Sequence, residues 1–146
     1  MAQAGIPGMR LLRFEREAGG AFRAPQDYPR EALAALGTHD MPTLAGWLGD
    51  SACAGDRHAL LVALARAGLE PGEPPHAESI HAFLAATPCR MMLLQPEDAL
   101  GVTEPWNVPG TTEEHPNWRR KLPVALEDFA ASGRLERVVR AIRSRR

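Results

Sequence analysis

The stretch Glu31-Ala32-Leu33-Ala34-Ala35-Leu36-Gly37-Thr38-His39-Asp40-Met41-Pro42-Thr43-Leu44-Ala45-Gly46-Trp47-Leu48 decides the fold. Its first part, Glu31 to Leu36, is a largely apolar run that predicts a short strand buried on both faces. Gly37-Thr38-His39-Asp40 is a polar stop, and Met41 onward predicts a helix with Pro near its first turn. Strand, turn and helix put His39 and Asp40 at a strand's C-terminal end, where α/β enzymes carry their chemistry. Spacing alone leaves Asp40 with a second reading, as the helix N-cap that accepts backbone N–H bonds.

Strands also frame the rest of the chain. Gly5-Ile6-Pro7-Gly8 predicts a turn and Met9–Phe14 a part-apolar strand, followed by an irregular Gly- and Pro-bearing loop from Glu15 to Arg30. Asp56 is a candidate cap for a helix running to Gly68, with Leu60, Leu61, Leu64 and Ala67 on one face. A helix over residues 77–86 buries Ile80, Phe83 and Leu84 and ends at Pro88. Arg90–Gln95 reads as a third strand, running into Pro96-Glu97-Asp98. Pro123 opens a short helix to about Ala131, and Ser132 caps a last helix with Leu135, Val138, Val139 and Ile142 on its apolar side. The order predicts parallel strands joined by helical crossovers.

A length of 146 residues, 45% hydrophobic and 24% charged, fits one domain with a real core. The net charge of −1 gives no overall field for nucleic acid or anionic membrane. Arg137, Arg140 and Arg143 form a basic stripe, which is either a nucleic-acid surface or a solvated helix face near its C-terminus. No apolar stretch reaches the roughly 20 residues of a membrane span, and no secretory signal pattern opens the chain. Cys53 and Cys89 match no metal or redox spacing, so reduced thiols and a cytoplasmic location are expected. The five His are scattered, and no metal or cofactor is expected.

The most unusual segment runs from Gly101 to Leu122. It holds Trp106-Asn107-Val108-Pro109-Gly110-Thr111-Thr112 and His115-Pro116-Asn117-Trp118-Arg119-Arg120-Lys121. Two Trp, two Asn and several cations on a Pro/Gly-fixed loop suit a polar ligand platform, aromatic faces stacking on rings and amides supplying directed hydrogen bonds. The same composition also fits a long loop pinned to the core by its aromatics.

Three stretches in order carry a resemblance: Gly37 to Trp47, Gln95-Pro96-Glu97-Asp98-Ala99-Leu100-Gly101, and Trp106 to Leu122. Together with Gly5 to Phe14 they resemble the C-terminal part of bacterial 4-alpha-glucanotransferases, the amylomaltases of glycoside hydrolase family 77. The resemblance implies an α/β fold, a single partial barrel over residues 1–146 comprising about strands 6–8 and their helices of a (β/α)8 barrel. It implies retaining transfer of α-1,4-glucan segments between maltodextrins. Family members use a nucleophilic Asp after the fourth strand, an acid/base Glu after the fifth and a third Asp after the seventh. Asp40 matches the third, a transition-state stabiliser that binds sugar hydroxyls as charge develops at the anomeric carbon. His39 matches the neighbouring sugar-binding His, while Trp106, Asn107 and Pro109 fall on the loop bordering the donor subsites.

No residue matches the nucleophile or the acid/base, and a retaining glycosidase needs two carboxyl groups about 5–5.5 Å apart. Three barrel strands also leave open edges and an uncovered face. The expectation is therefore a C-terminal fragment (a truncated gene product, a split-gene half or a misplaced start) that is inactive alone. Its partners are maltodextrin and the missing N-terminal barrel part as a separate chain, with neither nucleic acid nor membrane. The alternatives are a non-catalytic glucan-binding or regulatory remnant and, more remotely, a nucleic-acid-binding domain using the terminal arginines.

Overall fold

A computed structural model describes residues 6–146, so Gly5 of the predicted opening turn lies outside the described residues. Strands β1 (Gly8–Leu11), β2 (Ala32–Ala35) and β3 (Met91–Met92) form one sheet in the order β1-β2-β3. Both pairings are parallel: Met9 lies opposite Leu33, and Leu33 opposite Met91. The helices are α1 (Leu44–Gly49), α2 (Ala54–Arg66), α3 (Ala77–Ala85), α4 (Pro96–Leu100) and α5 (Gly133–Arg143). The chain passes from β2 to β3 through α1, α2 and α3, which is the helical crossover that parallel strands require.

Side chains alternate across a strand, so the two sheet faces differ. One face carries Ala32, Ala34 and Met92, which join Leu12, Leu36, Leu60, Leu64, Ile80, Phe83 and Leu84 in the core beneath the helices. Alanine in the central strand lets the helices approach closely. The other face carries Met9, Leu11, Leu33, Met91 and Leu93. No helix of the described residues covers it, and Met9 and Met91 stay 55% and 45% exposed. All-parallel sheets are normally covered on both faces.

Trp47 is the hub on the helical side. Its ring meets Phe22 edge-on at 6.4 Å, the Arg13 guanidinium lies 4.5 Å from its centroid, and its Nε1 donates to Asp56 at 3.2 Å. Arg13 also donates to the Pro42 carbonyl at 2.6 Å, tying the segment after β1 to the approach to α1.

Several elements are shorter or tighter than their sequence pattern. Leu12–Phe14 leaves the first strand as a 3-10 turn, because Leu12 must enter the core. Only Met91–Met92 of the third strand pairs, although Leu93 N still donates to Ala34 O at 2.9 Å. The helix predicted from Pro123 is a 3-10 segment, Leu126–Ala131, with no buried residue to reward a longer α-helix. Asp56 does not cap α2. It lies in the first turn and accepts from Arg16 and Trp47, while Cys53 occupies the cap position. Ser132 holds the cap position of α5 without a side-chain bond. The basic stripe is partly neutralised, Arg137 pairing with Glu78 of α3 at 2.7 Å and Arg140 with Glu136.

A core this dense makes volume loss costly. Leu64→Ala removes a fully buried side chain and is expected to destabilise by about 2–5 kcal/mol in urea unfolding. Leu126→Ala, at an 83% exposed position, is expected to change stability by less than about 0.5 kcal/mol.

Candidate functional site

The site begins where β2 leaves the core. Leu36 is the last buried residue, and Met41 N donates to Thr38 O at 3.1 Å, closing a turn with His39 and Asp40 exposed at its corner. Thr43 then caps α1, its Oγ1 accepting from Gly46 N at 3.1 Å. The reading of Asp40 as helix cap is therefore overturned. A cap bonds N–H groups two or three residues on, and Thr43 holds that position.

With that role taken, the Asp40 carboxylate is directed to other partners. Asn107 Nδ2 donates to its Oδ1 at 2.6 Å, and His39 Nε2 lies 3.3 Å from its Oδ2. The turn after β2 and the loop after α4 thus meet at one carboxylate, across 67 residues of sequence. Trp118 joins them, its ring centroid 5.0 Å from that of His39.

The loop carrying Asn107 is held by its own side chains. Asn117 Oδ1 accepts from Val108 N at 2.9 Å, and its Nδ2 donates to Thr111 O and Oγ1 at 2.9 and 3.0 Å. Trp118 N donates to Trp106 O at 3.0 Å. Between these ties Val108–Thr111 form a turn, with Pro109 at its second position and Gly110 at φ +84°, a conformation that favours glycine.

Of the five residues singled out in the sequence, the structure brings Asp40, His39 and Asn107 together. Trp106 lines a neighbouring cleft of about 470 Å³ with Glu104, Arg120 and Lys121. Pro109 shapes the exposed turn and makes no hydrogen bond to the Asp40 cluster. Sequence reasoning missed the structural roles of Thr43, Asn117 and Asp98. Thr immediately before an apolar helical pattern is a recognisable cap signal, and Asn next to Pro116 in a loop is a backbone-bonding one. Asp98 stands within the Gln95–Gly101 motif and could be read as a cap of its own helix, but nothing local points to a partner on another helix.

Asp98 is 2% exposed, yet it lies on α4 with its Oδ1 accepting from the Leu44 N–H at 2.6 Å. It satisfies the N-terminus of α1, not that of its own helix. Thr43 Oγ1 adds a bond to Thr103 O at 3.0 Å, and a Cβ at Gly46 would stand 2.6 Å from the same carbonyl. Burial pushes the Asp98 carboxyl up to about 6, against the opposing effect of the Leu44 bond, with Glu97 adding to the rise. Among the described residues no group of His, Cys, Asp and Glu could hold a metal ion, and no helix is long and apolar enough to cross a membrane.

The family model for 4-alpha-glucanotransferases matches residues 1–127. The 4-alpha-glucanotransferase of Mycobacterium tuberculosis (strain H37Rv) is 33% identical over 96% of this chain and 24% of its own length. That of Haemophilus influenzae is 32% identical over 73% of this chain and 20% of its own. The chain thus spans about a quarter of the length of the curated relatives it matches. Among solved structures, amylomaltase from Corynebacterium glutamicum superposes with a TM-score of 0.80 at 27% identity, over 97% of this chain and 26% of that one. Amylomaltase from Streptococcus agalactiae gives 0.73 at 22% identity over 96% and 27%, a likeness of fold.

The buried acid makes stability pH-dependent. Its folded pKa lies above the ordinary value of 3.8, so between about pH 4 and 6 the folded chain holds a proton that the unfolded chain has lost. Stability is expected to fall by about 3 kcal/mol as pH rises through that window. Asp98→Asn can still accept from Leu44 and is expected to flatten the slope while matching or exceeding wild-type stability at pH 7, as urea titrations at several pH values would read.

Proposed function

The chain belongs to the family of 4-alpha-glucanotransferases, and from that premise we propose that it serves the transfer of α-1,4-glucan segments between maltodextrins. The observation that carries the reading is the 2.6 Å bond between Asn107 and Asp40, by which the two motif-bearing loops converge on one exposed carboxylate. In this reading residues 1–146 are about strands 6–8 and their helices of a (β/α)8 barrel. The uncovered face with Met9, Leu33 and Met91 is the barrel's interior, and strand edges at β1 and β3 await neighbours.

Asp40 stabilises the transition state. An ionised carboxylate bound to sugar hydroxyls makes those oxygens more electron-rich, which favours the oxocarbenium-like state over the ground state. Asn107 fixes one of its oxygens, and the second, 3.3 Å from His39 Nε2, keeps lone-pair capacity for a sugar hydroxyl. His39 donates or accepts at the same sugar, Trp106 lines the next cleft along the glucan, and Pro109 shapes the rim. The nucleophile and acid/base come from the remainder of the barrel, in the same cytoplasmic assembly. The resemblance assigns neither role to a residue of this chain, so it does not turn over alone. A non-catalytic glucan-binding or regulatory role is the second reading, favoured by that same missing pair.

Maltotriose incubation tests the first reading. The chain alone is expected to release no glucose, whereas addition of a family barrel's first five strands as a separate polypeptide is expected to restore glucose and longer maltodextrins. Asp40→Asn in that complex should lose about a hundredfold or more in rate, as loss of an electrostatic group at the reacting centre does. Turnover by the isolated chain would refute the missing-pair reading. Glucan binding with no complementation would favour the second reading.

A further inference from the structure

Trp118 has φ +61°, the one positive value of a non-glycine among the described residues. A bulky side chain in that region is strained, and such strain persists only where surrounding bonds impose it. Here Asn117 is fixed by three hydrogen bonds, and Trp118 N is held on Trp106 O. The strained backbone gains little burial in return. The Trp118 side chain stays 62% exposed, whereas Trp47, at 4%, shows how this fold treats an indole used for packing. What the conformation does achieve is contact with His39, the rings tilted 58° apart with centroids 5.0 Å from each other.

We infer that Trp118 is the aromatic platform of the glucan site: it buttresses the His39 imidazole beside Asp40 and stacks a pyranose ring of the bound α-1,4-glucan on its exposed face. This rests on the reading of the turn after β2 as a glucan site. The apolar C–H faces of a pyranose suit an aromatic surface, while its equatorial hydroxyls suit the hydrogen-bonding edge formed by Asp40, His39 and Asn107. The indole supplies area and orientation, and the polar cluster supplies direction. With respect to His39, Trp118 is a positioning residue. With respect to the sugar, it is a contact.

The test measures maltodextrin affinity, thermal unfolding and the His39 imidazole proton resonances of the whole chain. Trp118→Asn removes the ring with a residue that tolerates positive φ, and Trp118→Tyr keeps an aromatic face. Affinity is expected to drop about tenfold in the Asn variant and to stay within about threefold in the Tyr variant. Tm in the Asn variant is expected to be unchanged or higher, since strain is relieved. The His39 resonances are expected to lose their ring-current shift in the Asn variant and keep it in the Tyr variant. If Asn lowers Tm, Trp118→Gly, which adopts this φ freely, takes its place. A ring-less variant that binds as wild type overturns the platform. Unmoved His39 resonances overturn the buttress. No binding by wild type, with Asp40→Asn indistinguishable from it, overturns the glucan reading and the platform together, while the resonances still decide the buttress on their own.

Discussion

The hydrogen bond from the Leu44 N–H to the buried Asp98 carboxylate is the constraint on which the rest of the structure depends. A helix that starts one residue after a site turn must have its first N–H groups satisfied, and in this chain the acceptor comes from 54 residues later. That single tie fixes the start of α1 relative to α4, and with it the span available to the turn from Gly37 to Pro42. Thr43 reinforces it by serving two partners, Gly46 of its own helix and the Thr103 carbonyl of the segment leading into the Trp106 loop. The same few atoms therefore set both halves of the candidate site, the carboxylate on one side and the amide that meets it on the other. The cost is a desolvated acid, and it is tolerable because the acid accepts a short, well-placed bond in return.

The two halves achieve rigidity differently. The turn after β2 is held from outside, between a central strand and a tethered helix. The loop of Asn107 and Trp118 is held from within, by Asn117 acting as a substitute for backbone pairing. An externally anchored acid facing an internally braced loop leaves exposed side chains in a set geometry without a large core beneath them.

Much of this was legible in the sequence, and what was not has a common cause. The apolar run at Ala32–Ala35, the helix of Ile80, Phe83 and Leu84, and the parallel order all follow from local periodicity, which burial enforces directly. The family was legible from motif order. Asp40 was ambiguous because an acid before a helix is a good cap, and only the competing Thr43 decides the matter. Asp98 was opaque for a deeper reason: its partner is remote in sequence, and its neighbours gave no periodic hint that a carboxylate would be buried. Asn117 and Trp118 sat in a stretch marked as unusual, but whether its aromatics faced ligand or core depended on backbone geometry. The third strand pairs only at Met91–Met92 and the 3-10 segment at Leu126–Ala131 buries no side chain, neither of which local propensity registers.

Two exposed methionines on the sheet add a chemical sensitivity. Met9 and Met91 stand on it as half-exposed thioethers, opposite Leu33 on the central strand. Oxidation to sulfoxide turns a soft apolar group into a polar, bulkier one. Exposure to peroxide thus makes this face of the sheet more polar until the methionine sulfoxide is reduced again.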